Sequence, residues 1–220
     1  MITVHHLENS RSQRILWLLE ELGLDYQLKC YQRDPQTLLA PPALKEVHPL
    51  GKSPVVTDGE VTIAESGAII EYLLETYDQG QLKPVDEVNL RNYRYWLHYA
   101  EGSLMPLLVM KLVFGRIPQG PMPVFIRPVA KSIMAKVQEQ FLDPQLSTHL
   151  RFVEDSLKGR EWFAGKFSAG DIQMSFPLEA AIARTDLGFY PNIQAFIEHC
   201  QARPAYQQAL KKGGKFEPLK

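Results

Sequence analysis

Gly51-Lys52-Ser53-Pro54-Val55-Val56-Thr57-Asp58-Gly59-Glu60-Val61-Thr62-Ile63-Ala64-Glu65-Ser66 is the stretch on which the fold turns. Val55-Val56 reads as a strand entered through Pro54, and proline suits the first residue of a strand because it has no N–H to give to a ladder. Asp58-Gly59 is a hairpin signal, since a tight two-residue loop needs the positive φ that glycine accepts freely. Val61 and Ile63 form the return strand with period two. Glu65-Ser66 opens a helix carrying Ile69, Ile70, Leu73 and Leu74 at helical spacing.

Upstream, Ile2, Val4 and His6 share one face of a first strand. Asn9-Ser10-Arg11-Ser12 is a polar turn with N-cap chemistry. Ile15, Leu18, Leu19 and Leu22 follow at helical spacing, and Gly23 caps the end of that helix. Tyr26 to Tyr31 is a second strand. Residues 34–48 hold Pro35, Pro41 and Pro42 and read as a loop with at most a short irregular helix. The order βαβ, loop, ββα predicts a thioredoxin-like α/β half: a parallel pair extended by an antiparallel hairpin, with helices on both faces. It occupies residues 1–79. A polar linker with Gly80 and Pro84 spans 80–87, and residues 88–220 read as all-α. There Leu90, Tyr93, Leu97, Ala100, Leu104 and Leu108 outline a long helix. Helices over 129–142 and 144–157 are split by Pro144. An apolar central helix spans 171–184, and a last one spans 191–203.

Composition narrows the function classes. Hydrophobic residues make up 45% of the 220 and charged residues 22%, values ordinary for a globular protein. A net charge of -1 offers no basic field for nucleic acid. The segment Leu104 to Phe114 is interrupted by Pro106 and Lys111 and is too short to cross a bilayer. Met1-Ile-Thr-Val-His-His lacks the features of a signal peptide. The two cysteines, Cys30 and Cys200, form no CxxC and no metal-spaced cluster, so free thiols in the cytoplasm are expected, with no metal.

Three features of the first half carry chemistry. The Asn9–Gln13 turn sits at a helix N-terminus, whose unpaired N–H groups and partial positive charge lower the pKa of a nearby thiol. Taken alone it is an ordinary cap. The Ser53-Pro54 dipeptide has its natural home in a cis bond beside a peptide ligand, which leaves the Ser53 backbone free to pair. Its plain alternative is an edge strand. Glu65-Ser66 at a helix start can hold the carboxylate and ammonium of an amino-acid head group, or merely cap the helix. A thiol site, a peptide-backbone site and an α-amino-acid site along one sheet edge describe glutathione.

These stretches resemble the glutathione transferase superfamily over essentially the whole chain. Asn9-Ser10-Arg11-Ser12-Gln13-Arg14 and Trp17-Leu18-Leu19-Glu20-Glu21-Leu22-Gly23 look like the first loop and helix of bacterial and fungal, theta-like members that use serine or asparagine. His48-Pro49-Leu50-Gly51-Lys52-Ser53-Pro54-Val55 is similar to the segment around the family's cis-proline. Glu65-Ser66-Gly67-Ala68-Ile69-Ile70 resembles its γ-glutamyl motif, and Phe167-Ser168-Ala169-Gly170-Asp171-Ile172 its capping box. The resemblance implies that Lys52 meets the glycyl end of glutathione as co-substrate, the Ser53 backbone at Pro54 its cysteinyl unit, and Glu65 and Ser66 its γ-glutamyl head. His5, His6 and Leu7 stand where some classes keep a catalytic tyrosine, and the turn has no cysteine. The thiol-activating residue is therefore Ser10 first, Asn9 second, with Ser12 also open. Tyr99, Ser103, Met105 and Met110 are candidates for the site of a small electrophile. A homodimer is expected through the helix from Val88 to Phe114, which carries Arg91, Arg94 and Glu101 between Tyr93, Tyr95 and Trp96. The implied reaction is conjugation of glutathione thiolate to an apolar electrophile. A glutathione-dependent peroxidase, or a non-catalytic relative that binds ligands or partners, remains the alternative.

Overall fold

The computed structural model describes residues 1–185 and 190–217. Strand β1 (Ile2–Leu7) pairs in parallel with β2 (Tyr26–Tyr31), and helix α1 (Ser12–Glu21) makes the crossover that a parallel pair requires. Strand β3 (Val55–Asp58) runs antiparallel to β1, with Val56 opposite Val4, and β4 (Val61–Ala64) closes the hairpin. The sheet order is β2-β1-β3-β4. The hairpin loop is Gly59-Glu60, with Gly59 at φ +58° as the sequence requires. Helix α1 ends in a Schellman motif: Gly23 at φ +63° donates to the Glu20 carbonyl and Leu24 to that of Leu19.

Alternation along β1 decides what covers each face. Ile2 and Val4 face the main core beneath α1 and α3 (Ser66–Tyr77), whereas Leu7 turns the other way and packs with Tyr31 and Leu44 of the short helix α2 (Ala43–Val47). Helices thus lie on both faces, and Trp17, Leu18 and Leu19 of α1 are fully enclosed.

The rest of the described chain is helical. Helix α4 (Glu87–Tyr99) runs through a π turn at Ala100–Leu104 into α5 (Met105–Arg116), so the long helix expected from the apolar spacing is continuous but contains one wide turn. Helix α6 (Arg127–Val137) continues through a second π turn, Gln138–Leu142, into α7 (Asp143–Leu157). The expected break at Pro144 is absent. Proline in the first turn of α7 gives up only an N–H that a helix start leaves unpaired. Helix α8 (Ala169–Arg184) is central and buried from Ala169 to Ala181. After α9 (Pro191–Ala202) comes a helix that the sequence reading missed, α10 (Pro204–Gly213). Pro204 reads as a stop, yet it serves as the first residue of a new helix that returns to pack on α1.

The capping box of α8 is formed. The Asp171 carboxylate accepts from the Ser168 N–H at 2.8 Å, the Ser168 hydroxyl at 2.9 Å and the Phe163 N–H at 2.9 Å. Burial pushes the Asp171 carboxyl up to about 7, against these hydrogen bonds, which pull it down.

Candidate active site

A cleft of about 520 Å³ opens between the sheet half and helices α5 and α8. Asn9, Ser10, Arg11, Lys52, Ser53, Glu65, Ser66 and Glu101 supply the polar part of its lining. Leu38, Leu39, Leu50, Met105, Val109, Leu112 and Phe176 supply the apolar part. The described residues include three non-glycine positions at positive φ, namely Asn9 at +49°, Leu38 at +59° and Glu65 at +71°, and all three line this cleft. Such conformations cost of order 1–3 kcal/mol each and persist where surrounding structure imposes them.

The Ser53–Pro54 peptide is cis, as the sequence suggested. The Ser53 hydroxyl donates to the His5 carbonyl at 2.9 Å and accepts from the Leu7 N–H at 3.2 Å, which ties the segment to β1. No hydrogen bond within the described residues engages its backbone N–H or C=O, so an extended ligand has a donor and an acceptor to pair with. Ser66 is the first residue of α3, and its hydroxyl accepts from Arg14 at 3.1 Å. The α3 N-terminus faces the cleft with unpaired N–H groups and positive dipole, suited to a carboxylate.

Arg14 is 2% exposed. Its guanidinium donates to the Gln173 carbonyl at 2.8 Å and to the Glu101 carboxylate at 2.6 Å, and lies 5.0 Å from the centre of the Phe176 ring. Arg11 completes the cluster, 3.0 Å from the other Glu101 oxygen. Burial would raise the Glu101 carboxyl, but the two guanidiniums outweigh it and hold it below the ordinary carboxylate value. This cluster joins α1, α3, α8 and the π turn after α4, and sequence reasoning missed it. The available signal was Arg14 itself, a charge within the stripe shared with Trp17 and Leu18.

The structure divides the expected site residues. Asn9, Ser10, Lys52, Ser53, Pro54, Glu65, Ser66 and Met105 share the cleft. Ser12 does not line it: fully buried, its hydroxyl meets Ser10, His6 and the Leu7 backbone. Tyr99 and Ser103 sit on the far side of the long helix in a shallow groove with Arg91, Arg94, Tyr95, His98 and His149, and the Tyr99 hydroxyl bonds His149 at 2.5 Å. Met110 packs partly buried against the core. A helix shows opposite faces to opposite surroundings, so one stretch could not supply all four to one pocket. The dimer face is corrected in the same way. Tyr93 and Trp96 point inward and Glu101 is paired within the chain, which leaves Arg91, Arg94 and Tyr95 outward. Cys30 and Cys200 are both free. Among the described residues no helix is long and apolar enough to cross a membrane, and no three metal-ligating side chains cluster.

Comparison with known proteins agrees with this geometry. Residues 10–76 match the family model described as the N-terminal domain of glutathione S-transferase. The chain is 38% identical over 217 residues to glutathione S-transferase 3 of Schizosaccharomyces pombe, covering 96% of this chain and 88% of that one. It is 32% identical over 223 residues to glutathione S-transferase 1 of Saccharomyces cerevisiae, covering 96% and 95%. A crystal structure of a glutathione S-transferase from Actinobacillus pleuropneumoniae superposes with a TM-score of 0.82 at 37% identity, over 97% of this chain and 93% of that one. On the cleft and these likenesses together, the chain is an enzyme of the glutathione S-transferase superfamily.

Proposed function

We propose that the enzyme conjugates the thiolate of glutathione to small apolar electrophiles. The observation that carries this reading is the single cleft in which peptide-binding groups and an apolar wall meet. In it the Ser53 backbone pairs with the cysteinyl unit, and Lys52 faces the glycyl carboxylate. Ser66 and the α3 N-terminus hold the γ-glutamyl carboxylate, while Glu65 takes its ammonium. The α1 N-terminus and the polar side chains of the Asn9–Ser10 turn stabilise the thiolate, as in a theta-like serine- or asparagine-using member. Held against Met105, Val109, Leu112 and Phe176, an electrophile meets a preformed nucleophile, so proximity and a lowered thiol pKa supply the rate.

A division into residues 1–79, 80–87 and 88–220 belongs to the same proposal, supported by α3 ending at Tyr77 and α4 beginning at Glu87. So do a cytoplasmic setting, supported by two unpaired cysteines, and a homodimer through the Arg91, Arg94 and Tyr95 face. Calorimetry tests the core of the reading: saturable glutathione binding is expected, weakened by Ser66→Ala by about 1–3 kcal/mol, the worth of a hydrogen bond to a charged group. Absence of binding at millimolar glutathione would overturn it. Steady-state assays with an aryl halide and with an organic hydroperoxide separate conjugation from peroxidase chemistry.

A further inference from the structure

Resting on the glutathione reading, we propose that Asn9 is the side chain that donates to the glutathione sulfur, and that the C-terminal segment Gly213–Glu217 is a strap that positions it while turning the Ser10 hydroxyl away. The strap is built into the fold. At Gly213 an added Cβ would lie 2.4 Å from Leu16 Cδ1 and 2.9 Å from Gln13 Oε1, so the end of α10 approaches α1 as closely as glycine allows. Gly214 turns the chain at φ +88°, and the Phe216 ring then lies 5.1 Å from that of Phe176 in the cleft wall.

Two hydrogen-bonded paths lead from this strap to the Asn9–Ser12 turn. The first ends on Ser10, and its protons are assigned by elimination. The Gly213 carbonyl can only accept, so His6 Nε2, at 2.9 Å, carries a hydrogen. Burial lowers the His6 pKa, so the ring is neutral at neutral pH and its Nδ1 is an acceptor. Ser12 Oγ, 2.9 Å from Nδ1, must donate to it. The 2.8 Å contact between Ser10 and Ser12 then has Ser10 as its donor. The one hydroxyl proton of Ser10 is thereby spent inward, and what it offers the cleft is lone-pair density, which repels a thiolate.

The second path ends on Asn9. The Glu217 N–H donates to Asn9 Oδ1 at 2.8 Å. That contact identifies the oxygen of the amide, and among the described residues Nδ2 has no partner. With its backbone at φ +49°, Asn9 therefore lines the cleft with an uncommitted N–H₂ group, the donor a thiolate needs.

The test reads the apparent pKa of enzyme-bound glutathione, from its ultraviolet thiolate band and from the pH profile of kcat/KM with an aryl halide. Asn9→Gly, which suits the positive φ, is expected to raise that pKa by about one unit or more, the scale of one hydrogen bond to a charged sulfur. Ser10→Ala raises it by less. Glu217→Pro, which deletes only the N–H donor of the strap, shifts the pKa in the same direction as Asn9→Gly and adds nothing in the Asn9→Gly background. Glu217→Ala, which keeps that N–H, shifts it less. Calorimetric glutathione affinity and circular dichroism, both retained, show that the variants fold. A larger shift for Ser10→Ala than for Asn9→Gly, or additive shifts for Glu217→Pro and Asn9→Gly, would overturn the proposal while leaving glutathione binding intact. Absence of glutathione binding by the unsubstituted enzyme would overturn both this and the reading on which it rests.

Discussion

Replacing Glu101 by alanine should destabilise the enzyme far more than loss of a surface charge does. Glu101 stands 30% exposed at the cleft wall, but its partner Arg14 is 2% exposed and enclosed by α1, α3 and α8. Without the carboxylate, Arg14 keeps only the Gln173 carbonyl and the Ser66 hydroxyl, two neutral acceptors, for a buried full charge. Breaking a buried pair from one side costs about 3–5 kcal/mol, because the remaining charge stays desolvated. For a chain of this size that lowers the melting temperature by about 10 °C, at about 2–4 °C per kcal/mol. The pH dependence follows from the depressed Glu101 carboxyl. Its contribution is fully present above the ordinary carboxylate pKa and is lost as pH falls through the lower folded value. The difference between wild type and Glu101→Ala should therefore shrink in acid. Urea unfolding of both proteins at neutral and acid pH measures this, and the double variant Arg14→Met/Glu101→Leu should recover much of the loss. A cost below about 1 kcal/mol, typical of an exposed pair, would refute the claim that the fold desolvates this charge.

Asp171→Ala should cost at least about 2 kcal/mol, since it orphans three buried donors at the start of α8, with glutathione affinity unchanged when titrated by calorimetry. With its folded carboxyl near 7, Asp171 contributes most stability below the ordinary carboxylate value, and that contribution is lost as pH rises through 7. Wild type should thus lose ground to Asp171→Asn over that range in thermal melts. A thiol reagent should label Cys30 alone in the native protein and reach the buried Cys200 only on unfolding, and mass spectrometry counts the adducts. Sedimentation equilibrium at micromolar concentration should find a dimer that Arg91→Glu/Arg94→Glu weakens, and a 25.1 kDa species with full activity would remove the partner helix from the account.

Local chemistry made much of this molecule legible in its sequence. Asp58-Gly59 can form few structures other than a tight hairpin, and Gly23 few other than a helix cap, because positive φ excludes most residues. Ser168 and Asp171 stand three apart, which is the reach of a capping box. The Ser53-Pro54 and Glu65-Ser66 readings relied on the same short range: each is a dipeptide whose backbone role follows from its own stereochemistry and from the helix or strand it opens. Period and turn chemistry were less reliable where helices end. Pro144 and Pro204 read as breaks, yet proline at a first helical turn loses no hydrogen bond, so only packing decides whether a helix begins there. What lies far apart in sequence was decided by tertiary structure alone. The sequence could nominate Asn9, Ser10 and Ser12 but not rank them, because their hydroxyl and amide directions depend on His6, Gly213 and Glu217, the last two over two hundred residues away. Likewise Arg14 and Glu101 meet only because α1 and the π turn after α4 pack together. Tyr99 and Met105, six residues apart on one helix, face different surroundings because that helix separates the cleft from the outer surface.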